Sequence, residues 1–189
     1  MINTAKVRSL NNSVDGIVAG WFAFQDRYRS IPGDMSPAQA SAQIAAGITV
    51  GDAGPDGTVD TGAQAGALWL HLSRAGFISG TYSGAAAPGP AAAVYDCPTG
   101  ICPDNRFGSG MEIIQSAVTF GVPASHTLYT GSGIPVGIVA ELDRKIDDGV
   151  ANTGTVRGGA SNGSGGTCAV AAAYGLGEIS DCGLAIRNL

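Results

Sequence analysis

Long apolar runs are missing from this sequence. Nowhere in its 189 residues does one approach the roughly 18 residues that a membrane-spanning helix needs, which excludes such a helix within it. Clusters of Lys and Arg are missing too. The chain carries 15 acidic and 10 basic side chains, a formal charge of −5, so nucleic acid and anionic lipid are poor partners. Met1 leads straight into a polar, charged segment rather than a signal peptide. Two origins fit that start: a cytosolic protein, or an exported one given without its export and anchoring segment.

The residues of common active sites are equally sparse. There are two histidines. His71 lies between Leu70 and Leu72 in a helical pattern and reads as a partly buried, hydrogen-bonded structural residue. His126 follows a Pro turn and is expected to face solvent. No Gly-x-Ser-x-Gly elbow occurs; Gly108-Ser109-Gly110 and Gly131-Ser132-Gly133 read as turns. No phosphate-cradling Gly-rich loop follows a strand. The expectation is no catalytic residue, no cofactor and no assigned metal.

What is present begins at once. Val7, Leu10, Val14, Ile17, Trp21, Phe24 and Tyr28 step by three and four residues in alternation, a helical stripe that no strand could present on one face. Val18 and Phe22 are expected to widen it, so that the helix lies against a broad surface such as a sheet. Ile31-Pro32-Gly33-Asp34 stops the pattern. A helix over 2–28 is about 40 Å long, more than a small core requires. Lys6 and Arg8 near its start oppose the helix dipole, as if this were the lower part of something longer.

Ser36, Pro37 and Gln39 supply the N-cap, first position and capping box of a short helix that Gly47 should end. A third helix is expected from Gly62 to Ala75, with Gly76 as its stop. Strands are expected within 111–120 and 126–129, where Pro123 marks an edge, and at Val156 and 184–186. A helix is expected over 136–146. This order gives an α+β fold: a long N-terminal helix on an antiparallel sheet, in one domain. Within it, residues 1–30 form the helix, 31–110 a helical, loop-rich insert, and 111–189 the sheet and a disulfide-tied C-terminal region.

The 30 glycines mark many turns. Residues 85–93 and 158–166 read as irregular surface excursions. Cys97, Cys102, Cys168 and Cys182 allow three disulfide connectivities, of which the local pairs Cys97–Cys102 and Cys168–Cys182 are the simplest. Neither pair has the two-residue spacing of a zinc knuckle or a redox motif. Disulfides imply the periplasm or the outside. Asp52, Asp56 and Asp60 stand at EF-hand positions 1, 5 and 9, with Gly57 at the turn, but Ala63 replaces the bidentate acid. A solvated turn is the expectation there, and calcium the alternative. Asp143, Asp147 and Asp148, interleaved with Arg144 and Lys145, read as a salt-bridged helix end.

Three segments carry a resemblance. Phe22-Ala23-Phe24-Gln25-Asp26-Arg27-Tyr28-Arg29-Ser30-Ile31-Pro32-Gly33-Asp34 resembles the end of the long N-terminal helix of type IV pilin-like proteins and type II secretion pseudopilins. Trp69 to Gly80 is similar to the helix and Ala-Gly-Leu/Ile-x-x-Gly turn of one branch. Residues 138–156, with Leu142-Asp143-Arg144-Lys145-Ile146-Asp147-Asp148-Gly149, are similar to its Asp-Asp-Gly segment, with Ala151 where a Pro is expected. The resemblance implies a fibre subunit at the bacterial surface. Its precursor would be anchored in the inner membrane by the missing apolar half of the helix and extracted by an assembly platform. Its partners would be copies of itself or other pilin-like subunits. Val14, Ile17, Trp21, Phe24 and Tyr28 would hold the helix to its own sheet. The second reading is an adhesive, secreted or minor pilin-like protein, motivated by the roomy loops over 80–103 and 158–166.

Overall fold

The computed structural model describes residues 2–88, 97–116, 124–159, 168–170, 172–175, 180–187 and 189. The opening pattern is the 27-residue helix α1 (Ile2–Tyr28). Val7, Leu10, Val14, Ile17, Trp21 and Phe24 are buried along it, and Tyr28 is half-buried. The buried stripe is narrower than expected, because Val18 is only half-buried and Phe22 is 47% exposed. The helix ends as the Arg29 backbone turns left-handed (φ 52°) and its N–H reaches the Gln25 carbonyl at 2.9 Å.

Helix α2 (Pro37–Gln43) has the expected capping box but stops short of Gly47, with Ile44 as its C-cap. Helix α3 (Gly62–Arg74) starts on a second box that the reading missed: Thr61 Oγ1 accepts from the Gln64 N–H, and the Gln64 side chain accepts in return. Helix α4 (Val136–Ile146) matches its expected span.

Strands β1 (Glu112–Ser116), β2 (Ser125–Tyr129), β3 (Val156–Gly159) and β6 (Gly183–Ile186) form one sheet in the order β1-β2-β6-β3. Every pairing in it is antiparallel. A separate two-stranded ribbon joins β4 (Ala169–Val170) to β5 (Ala173–Tyr174). Glu112, Ile113 and Ile114 are all buried, so β1 is covered on both faces and shows little alternation. Strand β2 is internal, with β3 at one edge of the sheet and β1 at the other, which corrects the edge expected for 126–129; Pro123 itself lies outside the described residues. The Gln115 N–H of the β1 edge donates to the Val59 carbonyl at 2.6 Å, so a loop covers it.

Helix α1 packs across this framework and not on the sheet alone. The Trp21 ring lies 5.1 Å from the His126 ring of β2, whereas Phe24 meets Tyr28 and Phe77, beyond the end of α3. Residues 85–88 are irregular as expected, but 158–159 belong to β3 and not to a surface excursion. The remainder of 158–166, and 89–93, lie outside the described residues.

Both local disulfides are formed, Cys97–Cys102 and Cys168–Cys182. The second ties the start of the β4–β5 ribbon to β6, where Cys182 also exchanges two backbone hydrogen bonds with Ile134.

Candidate functional site

The buried stripe of α1 leaves a second face in solvent. On it, Asn12, Asp15, Gly16, Ala19, Phe22 and Ala23 are exposed. Among the described residues Phe22 and Val170 are the exposed large apolar side chains. Beside this face runs a groove of about 670 Å³, walled by α1 from Ser9 to Ile17, by residues 77–82 and by residues 99–106.

Local chemistry builds the outer wall. Disulfide Cys97–Cys102 closes a short turn, and the Gly110 N–H donates to the Cys97 carbonyl at 2.9 Å. Buried Asn105 then fixes the next turn with its whole amide. Its Nδ2 donates to the carbonyls of Thr130 (2.9 Å) and Ser132 (2.8 Å), and its Oδ1 accepts from the N–H groups of Phe107 (2.8 Å) and Ser109 (3.1 Å). A buried amide satisfied four ways is costly to disturb. It leaves Arg106 in the left-handed region (φ 69°), its N–H on Asp104 Oδ1. Lys6 of α1 sits 5.1 Å from the Phe107 ring centroid, linking helix and wall. Sequence reasoning missed Asn105; an Asn among turn residues gives no sign of its burial.

The carboxylates group differently from the sequence reading. Asp34, Asp52 and Asp56 come together, with one oxygen of each within 4.8 Å of the others. Asp60 is not in this group, which breaks the EF-hand-like trio. Its N–H donates to Gln64 Oε1, so it belongs to the start of α3. The Asp34 oxygens accept from the N–H groups of Asp56 (3.1 Å) and Gly57 (3.0 Å). Burial raises the Asp34 carboxyl above its ordinary range against the pull of those donors.

Asp143, Asp147 and Asp148 also converge, yet not as a salt-bridged helix end. Lys145 pairs with Glu141 at 2.9 Å, while the three aspartates take backbone and hydroxyl donors. Asp147 accepts from the Val156 N–H at 3.1 Å and Asp148 from the Val150 N–H at 2.8 Å. Buried Asp143 takes the Tyr174 hydroxyl and the Gly149 N–H. Burial raises the Asp143 carboxyl, and burial plus the bonded carboxylate raises the Tyr174 phenol. If a cation bound either trio, these oxygens would be its ligands. Their existing partners already make each trio a knot for the chain.

Both histidines have acceptor roles. His71 is 0% exposed; its Nδ1 accepts the Gly33 N–H at 3.1 Å and its Nε2–H donates to the Val50 carbonyl at 3.0 Å. Gly33 stands at φ 90°, and a Cβ there would lie 2.5 Å from the Gln64 carbonyl oxygen. The Ile-Pro-Gly-Asp turn is therefore seated on α3 through His71. His126 is not solvent-facing: it is half-buried beside Trp21, with Nε2 accepting the Val59 N–H at 3.1 Å. Burial lowers the proton affinity of both rings.

Compared with known proteins, the chain matches no family model, and no curated protein or solved structure matches it significantly. The reading of function therefore rests on its own residues and geometry.

Proposed function

We propose that the protein is a structural subunit of a type IV pilus or a type II secretion pseudopilus, assembled through its N-terminal helix and without catalytic residues. The observation that carries this reading is α1, whose 27 residues span about 40 Å with one stripe in the core and another face free. The feature of that free face that supports packing between subunits is Phe22, a large apolar side chain left 47% exposed. Two disulfides support an oxidising compartment such as the periplasm or cell exterior. Each histidine's acceptor nitrogen is engaged by a backbone N–H, which leaves neither ready as a general base.

The gene's upstream reading frame should encode a peptidase site followed by about 20 apolar residues. A frame without them ends the fibre reading. In cells, Phe22→Glu should leave the melting temperature of the isolated domain within about 2 °C of wild type, since the site is exposed, yet reduce fibres seen by electron microscopy.

A second reading, adhesion by a secreted or minor pilin-like protein, is favoured by one feature, the preformed groove beside α1. Normal fibres with lost surface attachment in a deletion strain would select it.

A further inference from the structure

We propose that the groove between α1 and residues 77–82 and 99–106 binds a short neutral oligosaccharide. The proposal deepens the adhesion reading by naming its ligand class.

The wall chemistry selects among ligand classes. Among the described residues, the side chains of Asn12, Ser13, Thr81 and Thr99 line the groove without a protein partner, and the Arg106 guanidinium lies near enough to Tyr82 to interact with it electrostatically. An apolar ligand seated there would strip water from these groups and replace none of their hydrogen bonds, which opposes its binding. An ionic ligand finds nearly balanced charge, because Arg106 stands two residues from Asp104 and is joined to it through its backbone N–H. A peptide strand would need an unpaired sheet edge to read its backbone, and these walls are helix and loop. A pyranose ring offers what remains: a ring of hydroxyls for the neutral donors and acceptors, and a C–H face for the half-buried Tyr82 ring. Tyr82 is held in place by its hydroxyl, which donates to the Ser79 carbonyl at 3.2 Å. The Cys97–Cys102 bridge and the Asn105 amide set the far wall in advance, which lowers the ordering cost of binding.

Gly16 gives a clean way to close the groove. It is an exposed helix position on the groove wall, and a Cβ placed there meets nothing within 4 Å. Gly16→Phe fills the space while α1 keeps its buried stripe. The test is amide NMR of the isotope-labelled protein titrated with maltotetraose, cellotetraose and chitotetraose. At least one should shift, as a set, the amides of Gly16, Ile78, Thr81, Gly100 and Arg106. Gly16→Phe and Tyr82→Ala should each weaken that binding by about ten-fold or more, with the melting temperature of Gly16→Phe unchanged. No shift from any of the three at about 10 mM overturns the proposal. So does equal binding by folded Gly16→Phe. A deletion strain that loses attachment although these sugars do not bind would retain the adhesion reading and refute the groove as its ligand site. Sugar binding with normal attachment in that strain would do the reverse.

Discussion

Acid should loosen this protein through His71, and the size of the effect can be worked from its bonds. The Val50 carbonyl needs the proton on Nε2, and the Gly33 N–H needs a bare Nδ1. Adding a second proton would set an N–H against the Gly33 N–H in a site with no exposure. The folded protein therefore takes up that proton at lower pH than the unfolded chain, whose histidine titrates near 6.5. The sign follows: below about pH 6.5 the unfolded state binds more protons, so stability is complete above that pH and declines as pH falls towards the depressed folded value. A histidine kept neutral in the fold from pH 7.5 to 5.5 costs about 1.4 kcal/mol over that interval, the upper limit for His71. For a chain of this length that is a loss of about 3 to 6 °C in melting temperature. His126 adds a smaller loss of the same sign, discounted because its ring is half exposed. The assay is differential scanning calorimetry of wild type and His71→Gln at both pH values. Gln cannot titrate, so the variant should be less stable at pH 7.5 but lose fewer degrees on acidification. Equal losses in both proteins, or a wild-type melting temperature that rises with acid, would refute the reasoning.

Three other outcomes are expected. Gly33→Ala should cost more than about 2 kcal/mol in urea unfolding, since it places a Cβ at positive φ against the Gln64 carbonyl. Replacing Cys168 and Cys182 together by Ala should lower stability by about 3 kcal/mol on the loop-entropy estimate, or roughly 6 to 12 °C; four titratable thiols in the untreated protein would contradict both bridges. Tyr174→Phe should destabilise by about 1–3 kcal/mol because buried Asp143 loses its hydroxyl donor, and Asp143→Asn in the same background should recover part of that loss in thermal melts.

Periodicity carried the helices. α1 and α4 are legible because their apolar residues repeat with the helical period, and α2 announces its start through Ser36, Pro37 and Gln39. The stop of α2 was misplaced because Gly47 lies in a separate turn after Ile44 has already left the helix. Strand β1 was blurred by burial on both faces, and the two-residue strands β4 and β5 are too short to show a period of two. The two disulfides follow the simplest of the three connectivities that the four cysteines allow, a choice that spacing favours but does not fix. What failed was long-range polar pairing: the junction of His126 with Val59, the entry of Asp34 into the acidic group, and the four bonds of Asn105. The His126–Val59 and Asp34–Asp52 meetings and the two bonds from Asn105 to Thr130 and Ser132 join residues at least 18 positions apart, and a one-dimensional pattern holds no record of such meetings. The helix-side wall of the groove was hidden for the same reason, since Ser13 and Gly16 look like polar filler until residues 77–82 come beside them.

Strand β6 joins the two halves of the main sheet, with β2 on one side and β3 on the other, although it is the last of the four to be synthesised. Until residues 183–186 emerge, the hairpin of β1 and β2 has no bridge to β3, and Cys168 has no native partner. Closure of the domain therefore awaits delivery of this keystone segment. Cys182 directly precedes β6, so the bridge to Cys168 and the pairings that unite the sheet draw on one short stretch near residues 182–186.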